Sequence, residues 1–329
     1  MRVLFQTRPD HDERPGGDRV VIDALRERLR ALGLEIDLSG ATAPELRGYD
    51  AVHLFNLELM PHTSLQAENA RRHGRPYFVT PTYWTPGEAS PRRVRVPGLT
   101  RGRQRTRKAV LAGATRVFAS CEAERRRLLR DFSGLAEEQV VVARFGYRAP
   151  PPEEPTVPLP EPGYILCVGG FGHRKNQLNL ARALREVPRA RIVFVGSARR
   201  GDGRYRRAAL AHAPRGSLSV LDQPHGALPF FYERARVVVQ PSFVELPGLV
   251  AMEAVANLRP VVTAGHEPAR EYLEGLVTFA DPASPESIRR ACLSAAEPDP
   301  ARVARFVAEH DWTRVVKPVE DAYQALAAK

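Results

Sequence analysis

Short runs of β-branched and aromatic residues alternate with amphipathic stretches along almost the whole chain, and that alternation favours βα units that build parallel sheets. The runs fall into two series. The first contains Val3 to Gln6, Ala51 to Phe55, Tyr77 to Thr80, Arg116 to Ala119 and Val140 to Ala143. The second contains Tyr164 to Val168, Arg191 to Val195, Ser219 to Leu221, Arg236 to Gln240, Pro260 to Thr263 and Val277 to Phe279. Between them lies APPPEEPTVPLPEPG, Ala149 to Gly163, too rich in proline for a helix or sheet interior and suited to a semi-rigid linker. A chain of 329 residues also exceeds what one hydrophobic core usually serves. The expected organisation is an α/β domain at 1–148, a linker at 149–163 and a second α/β domain at 164–311, around a cleft. The first helix is the most plainly marked: Val21, Leu25, Leu29 and Leu32 recur every three or four residues, Gly33 is a natural stop, and Asp18 is the expected N-cap.

No run approaches the roughly 20 apolar residues of a membrane span, and the N-terminus MRVLFQTRPD lacks the pattern of a signal peptide. A cytoplasmic protein is expected. Three scattered cysteines, Cys121, Cys167 and Cys292, match neither a disulfide framework nor a zinc site. The net charge of +11 suits nucleic acid, an anionic membrane surface or phosphorylated substrates. Aromatic residues are few and no nucleic-acid module is present, so no nucleic-acid partner is expected. The arginine-dense stretch Pro91 to Val110 could hold anionic lipid headgroups at the inner face of a membrane or an anionic acceptor, or simply be a solvated face. Arginine supplies nearly all the positive charge, with lysine only at Lys108, Lys175, Lys317 and Lys329, which draws attention to Lys175 as a compact point charge.

The thirteen residues SFVELPGLVAMEA, Ser242 to Ala254, follow the apolar run Val237 to Val239 and place Glu245 and Glu253 around a Pro-Gly helix start. Pro247 would set the first helical turn, Gly248 would let a ligand reach the backbone, and the N–H groups near Leu249 and Val250 would form an anion site. The two carboxylates would stand about 10 Å apart at helical rise, flanking a bound diphosphate. Lys175, in GGFGHRKN after the strand ILCVGG, is the leading fixed cation for such a group. The glycines there fit neither the P-loop nor the dinucleotide pattern.

The stretch from Tyr232 to Val262 resembles the signature of retaining glycosyltransferases of the GT-B fold, family four, in which a glutamate, seven residues and a second glutamate recur. The resemblance implies two Rossmann-like domains facing a central cleft, with the final helix, 312–329, crossing back onto the first domain. It further implies that Glu245 contacts donor-sugar hydroxyls, that Glu253 holds the ribose, and that Gly248, Leu249 and Val250 hold the pyrophosphate. Where the family has an arginine after the strand this chain has Gly170, so His173 or Arg174 is expected to serve the phosphate beside Lys175. Gly16 and Gly17, before the first helix, resemble the family's glycine loop near the diphosphate; a plain helix-entry turn is the other reading. Asp10, His11 and Asp12 look like the Asp-x-Asp metal motif of the other major glycosyltransferase fold, a reading rejected on the two-domain pattern; no metal or cofactor is expected beyond a nucleotide sugar as co-substrate. The family's donor-sugar histidine is missing from VTPTYWTP, leaving Thr82, Tyr83 and Trp84 as candidate hydroxyl and aromatic contacts. His53 is either a cleft-edge residue or a buried hydrogen-bonded one. The function expected is retaining transfer of a sugar from a nucleotide-diphosphate donor to a hydroxyl of a glycan, lipid-linked or small-molecule acceptor. The alternatives are a sugar-nucleotide epimerase or hydrolase on the same fold, and a basic nucleic-acid-binding protein.

Overall fold

A computed structural model describes residues 1–11, 13, 16–85, 88, 97–197 and 203–328, with residues 97–100 described by their backbone alone. Among the described residues twelve strands form two six-stranded sheets in which every pairing is parallel. The first comprises β1 (Arg2–Gln6), β2 (Glu35–Ser39), β3 (Ala51–Phe55), β4 (Tyr77–Thr80), β5 (Arg116–Ala119) and β6 (Val140–Val142), in the order β2-β1-β3-β4-β5-β6. The second comprises β7 (Tyr164–Val168), β8 (Ile192–Gly196), β9 (Leu218–Leu221), β10 (Ala235–Gln240), β11 (Val261–Ala264) and β12 (Thr278–Ala280), in the order β12-β11-β10-β7-β8-β9. Helices follow most strands, and the central strands are buried on both faces, as expected of parallel sheets covered by crossover helices. Each sheet with its helices is a Rossmann-like α/β unit, and two such units are the fold class of GT-B proteins.

The sequence reading missed β2. Its residues EIDLS sit at a sheet edge, with Ile36 alone fully buried, so they lack the continuous apolar run that marks the inner strands. Asp18 is not the N-cap of the first helix, Gly17–Ala31: Gly16 occupies that position without a side-chain cap, and Asp18 lies inside the first turn. The Asp18 carboxylate accepts instead from Arg8 Nε at 2.9 Å.

By their internal contacts the residues divide into two units, one made of Met1–Gly87, Arg93–Gly146 and Glu309–Lys329, the other of Tyr147–Ala308 with a short segment before it. The first unit takes in the terminal helix Lys317–Ala327, whose Val319 and Tyr323 are buried. The proline-rich stretch runs with the second unit, where Glu153 N donates to Gly226 O at 3.1 Å and Thr156 N to Gln223 Oε1 at 2.9 Å. Among the described residues no helix is long and apolar enough to cross a membrane.

Candidate functional site

In the second sheet the chain winds outward from β7 in one direction and from β10 in the other, and β7 and β10 lie side by side. In open α/β sheets such a reversal leaves a crevice at the carboxyl ends of the strands, where ligands bind. The turn after β7 and the loop after β10 meet there. Phe243 N donates to Arg174 O at 2.9 Å, and Asn176, in a left-handed conformation, donates through Nδ2 to Pro241 O at 2.9 Å and Pro282 O at 2.7 Å. This stitching brings Lys175 Nζ to 2.6 Å and Arg174 Nη1 to 3.3 Å from the same oxygen, Glu245 Oε1. Arg174 Nη1 also donates to Val244 O. The stem of Lys175 lies over Gly169, where a Cβ would stand 3.4 Å from Lys175 Cε.

Glu245 is buried, and burial by itself would favour the neutral acid. Lys175 and Arg174 override that, holding the carboxyl down to about 2. Burial also pulls the Lys175 ammonium below the ordinary lysine value, against the opposing pull of Glu245. The pair is therefore a buried carboxylate held by a partly exposed ammonium at the sheet's crevice, next to a helix start.

That helix, Leu249–Ala256, begins two residues later than the sequence reading placed it. Pro247 lies outside it, because Gly248, at φ +112°, is the N-cap and turns the chain before the first helical residue. Gly248 O accepts from the N–H groups of Ala251 and Met252, and half-buried Leu249 and Val250 form the first turn. Buried Gln240 points its amide at this turn: Oε1 lies 2.7 Å from where a Gly248 Cβ would be and has no hydrogen-bond partner among the described residues. One turn further on, Glu253 is buried, with Oε1 2.9 Å from His225 Nε2 and Oε2 accepting from Tyr232 Oη at 2.7 Å. His225 and Tyr232 escaped the sequence reading. Tyr232 lies inside the matched string, yet nothing in the string marks its hydroxyl, and His225 belongs to a loop with no motif at all.

The remaining candidates scatter. His173 is exposed and packs edge-on to Tyr205, with ring centroids 4.8 Å apart. Gly170 lies beside Ser197, whose Oγ would be 3.4 Å from an added Cβ. Gly16 and Gly17 open the first helix in the other unit, at a loop pinned by Arg8, which bridges Asp10 at 2.8 Å and Asp18 at 2.9 Å. Asp12, the third residue of the rejected metal motif, lies outside the described residues.

Two candidates are corrected by burial. His53 is mid-strand and wholly buried, its Nδ1 2.6 Å from Tyr323 Oη and its Nε2 2.8 Å from Thr80 Oγ1. Burial pushes its imidazole down to about 3, so it stays neutral and offers no surface to a sugar. Tyr83 offers no aromatic wall: it is fully buried, donating to Asp131 Oδ2 at 2.9 Å and accepting from Gln104 Nε2 at 2.9 Å. Thr82 and Trp84 beside it are half-buried. Of the arginine-dense segment, Pro91 to Val96 lie outside the described residues, and the rest is in the helix Pro97–Ala112. Its Arg107 is no surface charge but a buried partner of Glu58 at 2.7 Å.

Residues 153–306 match the family model of the glycosyl transferases, group 1. Among curated proteins no sequence matches this one. Solved structures share its fold along its whole length. Sucrose-phosphate synthase from Thermosynechococcus elongatus is 19% identical, with a TM-score of 0.81 covering 100% of this chain and 99% of that one. HepE from Anabaena, solved in complex with UDP and glucose, is 15% identical, with a TM-score of 0.72 covering 99% and 100%. A glycosyltransferase from Rickettsia africae is 13% identical, with a TM-score of 0.71 covering 99% and 98%.

Proposed function

We propose that this glycosyltransferase moves a sugar from a nucleoside-diphosphate donor to a hydroxyl of a glycan, lipid-linked or small-molecule acceptor, with retention of anomeric configuration. The observation that carries the reading is the convergence of Lys175 and Arg174 on Glu245 at the β7–β10 reversal, against the start of the helix that also bears Glu253. A departing diphosphate needs fixed positive charge that does not reorganise during reaction. Lys175 supplies it, and Arg174 fills the place that the resemblance gives to an arginine at position 170. The amides of Gly248, Leu249 and Val250 add the positive end of a helix.

Glu245, ionised and tethered, positions the donor sugar through its hydroxyls. It is not a nucleophile in this scheme. The acceptor hydroxyl attacks from the face that the diphosphate leaves, and a phosphate oxygen takes its proton. Metal plays no part in this proposal. The UDP in the HepE structure makes a uridine diphosphate donor the first to test. The arginine-dense segment 91–110 is the proposed contact with an anionic membrane surface, which would place the enzyme peripherally where lipid-linked acceptors reside.

The decisive experiment is a thermal-shift screen with uridine, guanosine and adenosine diphosphates and their sugar conjugates, since a ligand that binds the native state alone raises its stability. Transfer is then assayed with the best donor. Glu245→Ala and Lys175→Ala should each lower transfer by about 10²-fold or more while unfolding stays cooperative. Full turnover by both variants removes the proposed site, and rapid donor breakdown without any acceptor replaces transfer by hydrolysis or epimerisation.

A further inference from the structure

Glu253 is held more tightly than a carboxylate needs to be if its sole duty is to wait for a ligand. Each oxygen already has a protein partner, His225 on Oε1 and Tyr232 on Oε2. An ionised carboxylate offers about four acceptor positions, so one on each oxygen stays open, the number that a vicinal pair of ribose hydroxyls requires. We infer that His225 and Tyr232 are positioning residues that aim the Glu253 carboxylate at the ribose of the nucleotide, and that His225 makes donor binding depend on pH. The inference deepens the nucleotide-sugar reading and rests on it.

Because an ionised carboxylate is acceptor-only, Tyr232 must donate its proton, and neutral His225 must carry its hydrogen on Nε2. Tyr232 is wholly buried, and burial and Glu253 both hold its phenol well above the ordinary value, so it donates at every accessible pH. His225 differs. Its side chain is 33% exposed and so exchanges protons with solvent, and Glu253 outweighs burial to raise its pKa above that of a free histidine. The groups facing the pair are Tyr232 from the helix Leu228–Arg234, and Tyr147 and Glu153 from the segment entering and forming the proline-rich stretch. That stretch fixes the turn bearing His225, through the bonds from Glu153 to Gly226 and from Thr156 to Gln223. Protonated His225 draws carboxylate charge toward Oε1, and the ribose then meets a poorer acceptor. Donor binding and His225 protonation therefore oppose one another, and by linkage donor binding releases a proton.

The test is calorimetric titration with uridine, adenosine and guanosine diphosphates across about pH 5.5 to 8.5, the range in which histidine changes charge. Wild type, His225→Gln, His225→Ala and Tyr232→Phe are compared, and 2′-deoxy nucleotides are titrated alongside. Wild-type affinity should fall several-fold toward acid, beyond any change shared with His225→Gln, which keeps a neutral donor and should match wild type at the alkaline end. His225→Ala should weaken binding about tenfold, the loss of one charge-assisted hydrogen bond, and the 2′-deoxy ligands should show a smaller penalty. With the full enzyme, donor KM should rise and kcat should change little. If wild type and His225→Gln follow one pH profile, or His225→Ala binds as wild type does, the inference is overturned while the donor reading stands. If wild type binds no nucleoside diphosphate, the donor reading itself is overturned.

Discussion

Lys175 and Glu245 carry opposite charges into the same largely buried place, so each biases the protonation of the other. Glu245, held to about 2 against an ordinary value of 4.5, contributes stability that is fully present above about pH 4.5 and is lost as pH falls toward 2. Lys175→Met removes the nearer cation, at 2.6 Å, and leaves Arg174 at 3.3 Å, so the carboxyl must titrate at higher pH. The variant should be less stable by about 1 to 3 kcal/mol at neutral pH, since buried Glu245 keeps only the more distant of its two cations. That deficit should shrink between about pH 5 and pH 2 as Glu245 takes up a proton. Urea unfolding of both proteins at several pH values measures it, and a deficit that is constant with pH would mean that packing and not charge holds the pair. These two residues were legible in the sequence because motif spacing and residue type mark them. Arg174 was legible as their neighbour. His225 was not, because its partner is 28 positions away and a lone loop histidine carries no periodic or spacing signal. His53 shows the same limit from the other side, since its fate is decided by Tyr323, 270 positions on.

At the scale of elements, the inner strands announced themselves as unbroken apolar runs, whereas the edge strand β2, half open to solvent, did not. The proline-rich stretch was legible as non-helical and extended, but its packing was not, since that depends on a turn some 70 residues later. The turn His225–Ala227 meets it at Gly226, where an added Cβ would stand 2.1 Å from Pro151 O and 2.9 Å from Glu153 N. Both are backbone atoms of a stretch with little freedom to withdraw. Gly226→Ala should therefore push the stretch off the turn and cost about 1 to 3 kcal/mol, the usual range for overpacking. It should also weaken nucleoside diphosphate binding, because His225 moves with the turn. Gly172→Ala, where a Cβ would meet nothing within 4 Å, is the control and should change stability little. Equal thermal midpoints for the two variants would show that the stretch yields without cost.

For the whole molecule the order of the chain matters more than either sheet alone, because the first unit takes in residues from beyond the second, Glu309–Lys329. The periodicity of 312–329 shows that a helix fits there, and nothing in it names the sheet on which the helix packs. In the structure Trp312, Val315, Val316, Val319 and Tyr323 are all buried. The Trp312 ring lies so close to Gly146 that an added Cβ would be 2.6 Å away, and Tyr323 Oη reaches His53 in β3. Burying a large apolar side chain is worth about 1.5 to 3 kcal/mol, so five of them rival the 5 to 15 kcal/mol that a domain usually has in hand. A chain ending at Ala308 should therefore lose the cooperative unfolding of its first unit. Its second unit, Tyr147–Ala308, keeps every residue of the Lys175–Glu245 and His225–Glu253 clusters. Calorimetry should show one surviving transition, and nucleoside diphosphate should still raise its midpoint. Tyr323→Phe supplies the graded case: it keeps the ring, leaves His53 Nδ1 without its partner and should cost about 1 to 3 kcal/mol, confined to the first unit. Were the truncated chain to lose the ligand-induced shift as well, the second unit would not be an independent folding body, and its donor site would need the first unit to exist.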